Sequence, residues 1–232
     1  MTKQKIKVDI VSDVVCPWCY IGKRRLEKAM DVLQDTYDFE VEYHPFELNP
    51  QMPAEGKNQK AYLISKFGSE ERYNQLTANV TNVAAEEGLQ FDYNKQGVSP
   101  NTRLSHLIIQ YARLEGKQVE TKEAFMKAYF EDGIDLSKKE NLMAIAVGAG
   151  LSKDKVEVLL STPDATATME AAEHELQKLG ISGVPFYIIN NTYGISGAQP
   201  SESFVEAFEN IATEMKAANT AGQVCDVNDK NC

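Results

Sequence analysis

Cys16-Pro17-Trp18-Cys19 places two thiols two residues apart near the start of the chain. A disulfide exchanger needs a thiolate that attacks and a second thiol close enough to resolve the mixed disulfide. Two intervening residues at the first turn of a helix meet both needs. The first cysteine then lies beside unpaired backbone N–H groups at the positive end of the helix dipole, which favour the thiolate. Pro17 suits that place, because a first-turn proline loses no helical hydrogen bond. Cys16 reads as the attacking sulfur and Cys19 as the resolving one. The competing reading is half of a zinc site completed by Cys225 and Cys232, but structural zinc pairs are spaced by two to four residues, and Cys225-x6-Cys232 fits poorly. No pair of histidines has metal-ligand spacing, so no metal is assigned.

Cys225 and Cys232 have three readings. They are a second redox pair relaying to Cys16 and Cys19, an inert disulfide closing an eight-residue loop, or unpaired tail thiols. His44, between a strand and Pro45, reads as a satisfied strand-end histidine, and His106 and His174 fall on helical stretches. Trp18 reads as part of an exposed apolar lip. Lys23-Arg24-Arg25 reads as a solvated helix face, and Asp13 as a surface carboxylate before a tuner of the thiolate.

The elements that must position the pair are legible from periodicity. Ile6–Val11 alternates and then turns apolar, as a strand does; residues 20–34 place Ile21, Ala29, Val32 and Leu33 at helical spacing; Phe39–Tyr43 alternates again and is stopped by His44-Pro45. Residues 51–180 look wholly helical, with five to seven helices. Ser137-Lys138-Lys139-Glu140 has the capping-box pattern, and Thr162-Pro163 opens a last helix that buries Met169, Ala172, Leu176 and Leu179. Strand character returns at Phe186–Ile189, Asn190-Asn191 supplies a hairpin turn, and Tyr193–Ile195 pairs back. A closing helix over residues 201–216 buries Phe204, Phe208, Ile211 and Met215. The order is β-α-β, a long helical insertion, then β-β-α. That is an α/β chain with the thioredoxin order: residues 1–50 and 181–217 form the thioredoxin-like domain, 51–180 an all-helical insertion domain and 218–232 a tail with the second cysteine pair. In that fold a cis-proline lies beside the reactive sulfurs, which assigns Pro185 and a cis Val184–Pro185 bond.

The net charge of −10 argues against nucleic-acid and membrane-surface partners, both polyanionic. No apolar run approaches the roughly 20 residues of a membrane span. Ile6–Val15, interrupted by Lys7, Asp9 and Asp13, is a poor signal-peptide core, so a cytoplasmic location is expected.

Ser12–Gly22, Phe46–Pro50, Asn101–His106, Gly183-Val184-Pro185 and Ser196–Pro200 resemble corresponding segments of the DsbA-like thioredoxin family, in its FrnE-like branch related to 2-hydroxychromene-2-carboxylate isomerases. The resemblance covers about residues 5–215. It implies protein dithiol oxidase, reductase or isomerase activity on protein or peptide thiols and disulfides, without a cofactor beyond the redox-active disulfide. FrnE-like proteins can carry an extra C-terminal cysteine pair. Glutathione-using relatives bear serine where this chain has Cys16. Their fold implies a thiol-peptide groove near Val184, Ala198 and Gln199, which makes glutathione a redox partner rather than a dedicated cosubstrate. Two rival functions follow: a glutathione-dependent isomerase or transferase on a small aromatic substrate, and a redox-independent chaperone-like binding module.

Overall fold

The computed structural model describes residues 3–162, 167–178 and 180–222. Its centre is β1 (Gln4–Ser12), which pairs in parallel with β2 (Tyr37–Pro45) after the crossover helix α1 (Pro17–Leu33). On its other side β1 pairs antiparallel with β5 (Phe186–Ile189), and β5 with β6 (Tyr193–Ser196), giving the order β2-β1-β5-β6. Asn190 and Asn191 both take positive φ, 50° and 57°, and Thr192 N–H donates to Ile189 O at 3.0 Å, closing the hairpin turn. Asparagine tolerates that region because its short polar side chain bonds locally; here Asn190 Oδ1 accepts from Lys7 N–H at 2.8 Å.

Between β2 and β5 come β3 (Lys57–Asn58), α2 (Gln59–Phe67), α3 (Glu70–Glu86), β4 (Val98–Ser99), α4 (Arg103–Leu114), α5 (Gln118–Phe130), α6 (Lys139–Gly148), α7 (Lys153–Ser161) and α8 (Ala167–Lys178). The insertion is therefore not wholly helical: β3 and β4 pair antiparallel, too short to show alternation in sequence. Ser137 caps nothing in α6, whose N-cap is Lys138, because the Ser137 hydroxyl donates to Asp135 Oδ1 at 2.6 Å. Thr162 closes α7 rather than opening α8, and Pro163 and Leu179 lie outside the described residues, as does the Ala172 side chain. Val32 is 71% exposed, not inward. β2 runs on through His44 and Pro45, where a stop was expected. Pro45 is the last paired position, where the ladder no longer needs its N–H.

One apolar core runs from the sheet into the insertion. Ile6, Val8 and Ile10 of β1, Leu26 of α1, Ile108 of α4, Phe125 and Met126 of α5, and Phe204 and Phe208 of α9 (Ser201–Gly222) all belong to it. β2 is an edge strand, and side-chain amides satisfy its open edge: Gln118 accepts from Tyr43 N–H at 2.9 Å, and Gln118 and Gln110 each donate to Tyr43 O at 2.8 Å. Helices α4 and α5 are thereby fixed against the sheet. No helix among the described residues is long and apolar enough to cross a membrane.

Helix α1 sits close on β5 at Gly22, where an added Cβ would lie 2.3 Å from Tyr187 Oη and 3.3 Å from Pro185 Cγ. Tyr187 Oη is buried and has no hydrogen-bond partner among the described residues. Gly22→Ala is expected to cost about 1–3 kcal/mol in chemical denaturation through overpacking. Tyr187→Phe, which removes both the obstructing atom and a buried hydroxyl without a partner, recovers most of that loss.

Candidate active site

Cys16 is the N-cap of α1, with extended backbone (φ −89°, ψ 112°), and Pro17 is the first helical residue. Cys19 N–H donates to Cys16 O at 3.0 Å, so the second sulfur follows the first by one turn. Both are free thiols. The Val184–Pro185 bond is cis, and Val184 O lies 3.8 Å from Cys16 Sγ, within hydrogen-bond range for sulfur. Residues 168 positions apart thus meet at the reactive pair. Trp18, 39% exposed, forms an apolar lip at the reactive motif, and Pro17 lines a cavity with it.

Exposure does not distinguish the two cysteines, at 4% and 3%. Electrostatics does. Burial pushes the Cys19 thiol well above the ordinary thiol range, and the hydrogen bond to Cys16 and its charge add to the rise, while Lys122 opposes it. Cys19 therefore holds its proton while Cys16 reacts, which suits it to the second step of exchange.

Beneath the motif lie three buried polar side chains from separate elements. Asp13, 1% exposed, accepts from Leu48 N–H at 2.8 Å and from Val15 N–H at 3.4 Å, and its Oδ1 lies 3.2 Å from His106 Nε2. It is not the surface carboxylate that local sequence suggests. Burial works to raise its pKa, but the hydrogen bond and charge of His106, the Leu48 N–H and the charge of Lys122 outweigh it and hold Asp13 below the usual range. Burial lowers the pKa of His106, so the neutral ring donates to an ionised Asp13. Lys122 from α5 is 1% exposed, donates to Ser12 O at 3.2 Å and stands 5.6 Å from the centre of the Tyr43 ring. Burial brings its pKa down to about 8 against the attraction of Cys19, Asp13 and Cys16.

The basic run is not a solvated face either. Lys23 is buried and pairs with Glu123 at 2.7 Å; Arg24 also meets Glu123; Arg25 pairs with Glu87 at 2.6 Å and donates to Ala198 O at 2.8 Å. These contacts fasten α1 to α5, α3 and the segment after β6. Ala198 lies against Gly22, and exposed Gln199 donates to Ser196 O at 2.7 Å. Cys225 and Cys232 lie outside the described residues. His44 Nε2 is 2.7 Å from Asp9 Oδ1, a satisfied strand-end contact, and His174 is exposed on α8. With Glu42 these two residues form a trio of metal-ligand types, but Lys7 stands 2.9 Å from Asp9 and Arg113 3.0 Å from Glu42, an ion-pair network.

Lys122 is the residue that sequence reasoning missed. Its signal was a charge on the apolar stripe of a helix, at the spacing that carries Phe125, Met126 and Tyr129.

The comparisons agree with this geometry. A "probable DsbA oxidoreductase" from Streptomyces coelicolor superposes with a TM-score of 0.84 at 34% identity, covering 90% of this chain and 91% of that one. The "Uncharacterized protein YwbO" of Bacillus subtilis is 25% identical over 216 residues, 91% of this chain and 98% of its own. The "cytosolic disulfide reductase DsbM" of Pseudomonas aeruginosa, solved with GSH, shares the fold at a TM-score of 0.63 and 14% identity, with 89% and 99% covered. Residues 7–209 match the family described as DSBA-like thioredoxin domain, and the chain belongs to that family.

Proposed function

We propose that the chain exchanges disulfides with protein or peptide substrates through Cys16 and Cys19. The observation that carries this reading is the meeting of Cys16 at the N-cap position of α1, a Cys19 whose thiol burial pushes up, and the Val184 carbonyl at one point. The Cys16 thiolate attacks a substrate disulfide and releases one substrate thiolate. Cys19 then gives up its proton and displaces the second substrate sulfur from Cys16, leaving a Cys16–Cys19 disulfide and a reduced substrate. In reverse, the pair donates its disulfide. The Val184 backbone beside Cys16 suits an extended substrate segment. Glutathione fits as the small-molecule redox partner, and the DsbM structure solved with GSH supports that choice.

Titration of the pair in glutathione buffers tests the reading. A single two-electron transition is expected, with Cys16 alkylated at neutral pH faster than Cys19, whose thiol burial pushes up. Failure of the two sulfurs to form a disulfide at any buffer ratio would overturn it.

A further inference from the structure

Helix α8 is fastened differently from α6 and α7, which bury Leu142 and Leu160 in the main core. Its inward face, Met169, Glu173 and Leu176, repeats at helical spacing, yet none of its described side chains joins that core. Leu176 and Ile181 pack instead with Val11 in a small second cluster, against which Phe46 and Val184 lie. An element held by so few apolar contacts opens locally while the main core stays closed. The end of α8 is tied to the segment after it, with Ile181 N–H donating to Leu176 O at 3.3 Å. Three residues further on stands Val184, whose carbonyl lies beside Cys16.

The polar fastening of α8 is a carboxylate. Glu173 Oε1 accepts from Glu47 N–H at 2.8 Å, and Glu47 Oε1 accepts from Arg103 Nε of α4 at 3.1 Å. The Glu47 side chain is 1% exposed, and its Oε2 has no hydrogen-bond partner among the described residues. A charge in that place is poorly solvated. The charged groups facing it are Arg103 from α4, Glu173 from α8 and Asp13 after β1, two like charges against one opposite. Burial raises the Glu47 pKa to about 7, with Arg103 opposing the rise and Glu173 and Asp13 adding to it.

We propose that Glu47 is a proton latch for α8: protonated, it lets Glu173 stay seated, and ionised, it loosens α8 together with the Val184 segment beside Cys16. The latch itself stands on packing and charge, and its effect on turnover rests on the disulfide-exchange reading. With α8 lifted, Glu47 meets water and returns to the ordinary 4.5. Below pH 4.5 both forms hold the proton, and docking is strongest. From 4.5 to 7 the open form ionises first, so opening increases by up to about tenfold per pH unit and levels off above 7.

Amide hydrogen exchange, read as protection factors, tests the latch without reference to activity. In wild type the amides of α8 and of residues 181–184 are expected to lose protection together, by on the order of a hundredfold between pH 4.5 and 8, while those of α5 keep theirs. Glu47→Gln, the uncharged isostere, should hold α8 protected over the whole range. Glu173→Gln, which keeps the accepting oxygen and removes a like charge, should shrink the wild-type change. Protection of α8 that does not vary with pH in wild type, or that falls equally in Glu47→Gln, overturns the proposal; so does a loss shared evenly by α5 and α8, in which the whole fold opens. For turnover, kcat/KM on a disulfide-linked peptide, wild type divided by Glu47→Gln, should fall over the same range, and a constant ratio overturns the link to Cys16. Absence of turnover in both proteins overturns disulfide exchange and leaves the exchange-protection result to decide the latch.

Discussion

Cys16→Ser is expected to lower reduction of a protein disulfide by on the order of 10⁴-fold or more, the scale on which removing a nucleophile acts. Cys19→Ser is expected to fail differently. It still attacks, but the mixed disulfide with substrate persists, because no second thiol follows one turn behind. Mass spectrometry after mixing with substrate should show the covalent adduct in Cys19→Ser and none in Cys16→Ser. Adducts in both variants, or in neither, would remove the assignment of roles. The asymmetry follows from placement: Cys16 holds the N-cap position of α1 and lies beside Val184 O, whereas the Cys19 thiol is pushed up by burial and by its neighbour's charge.

The second large effect falls on Lys122, where stability and chemistry should move in opposite directions. Its folded pKa of about 8 lies below the ordinary 10.5, so below pH 8 both folded and unfolded chains hold the proton and the fold carries the whole cost of a buried ammonium. As pH rises from 8 to 10.5 the folded chain releases the proton first, and that cost disappears. At neutral pH the cost is about 3 kcal/mol, from the size of the displacement. Lys122→Met removes it and leaves Ser12 O without its donor, for about 1 kcal/mol in return. Chemical denaturation at pH 7 should therefore show the variant more stable by roughly 2 kcal/mol, with the gap closing between pH 8 and 10.5. Resolution of the mixed disulfide should slow about tenfold, since the Lys122 charge that opposes the rise of the Cys19 pKa is gone. A destabilised variant with unchanged resolution would show that Lys122 serves packing alone. The groups facing this lysine are Asp13 and Ser12 from the end of β1 onward, His106 from α4, Tyr43 from β2 and the two cysteines at the start of α1.

How much of this was legible depended on the range of each signal. The reactive pair and α1 were readable because Cys16, Pro17 and the helical periodicity lie within one stretch, and capping chemistry is local. The hairpin was readable because Asn190-Asn191 tolerates positive φ. Ser137 misled for a reason equally local but hidden, since Asp135 captures its hydroxyl before α6 begins. The β3–β4 ladder pairs two residues with two across 39 positions, too short and too distant to mark the sequence. Asp13, His106 and Lys122 were unreadable as a group because their environment is made by the insertion folding back on β1. The burial that alters each one's proton affinity comes from segments about a hundred residues away.

Trp18 is the chain's single tryptophan, and it stands in the sequence between the two cysteines with more than a third of its surface open. Excited at wavelengths that tyrosine does not absorb, the protein therefore emits from one indole, and that indole belongs to the reactive motif. Light from this molecule reports the oxidation of its neighbours and the arrival of a guest against the indole, with no second fluorophore of its kind elsewhere in the chain to dilute the signal.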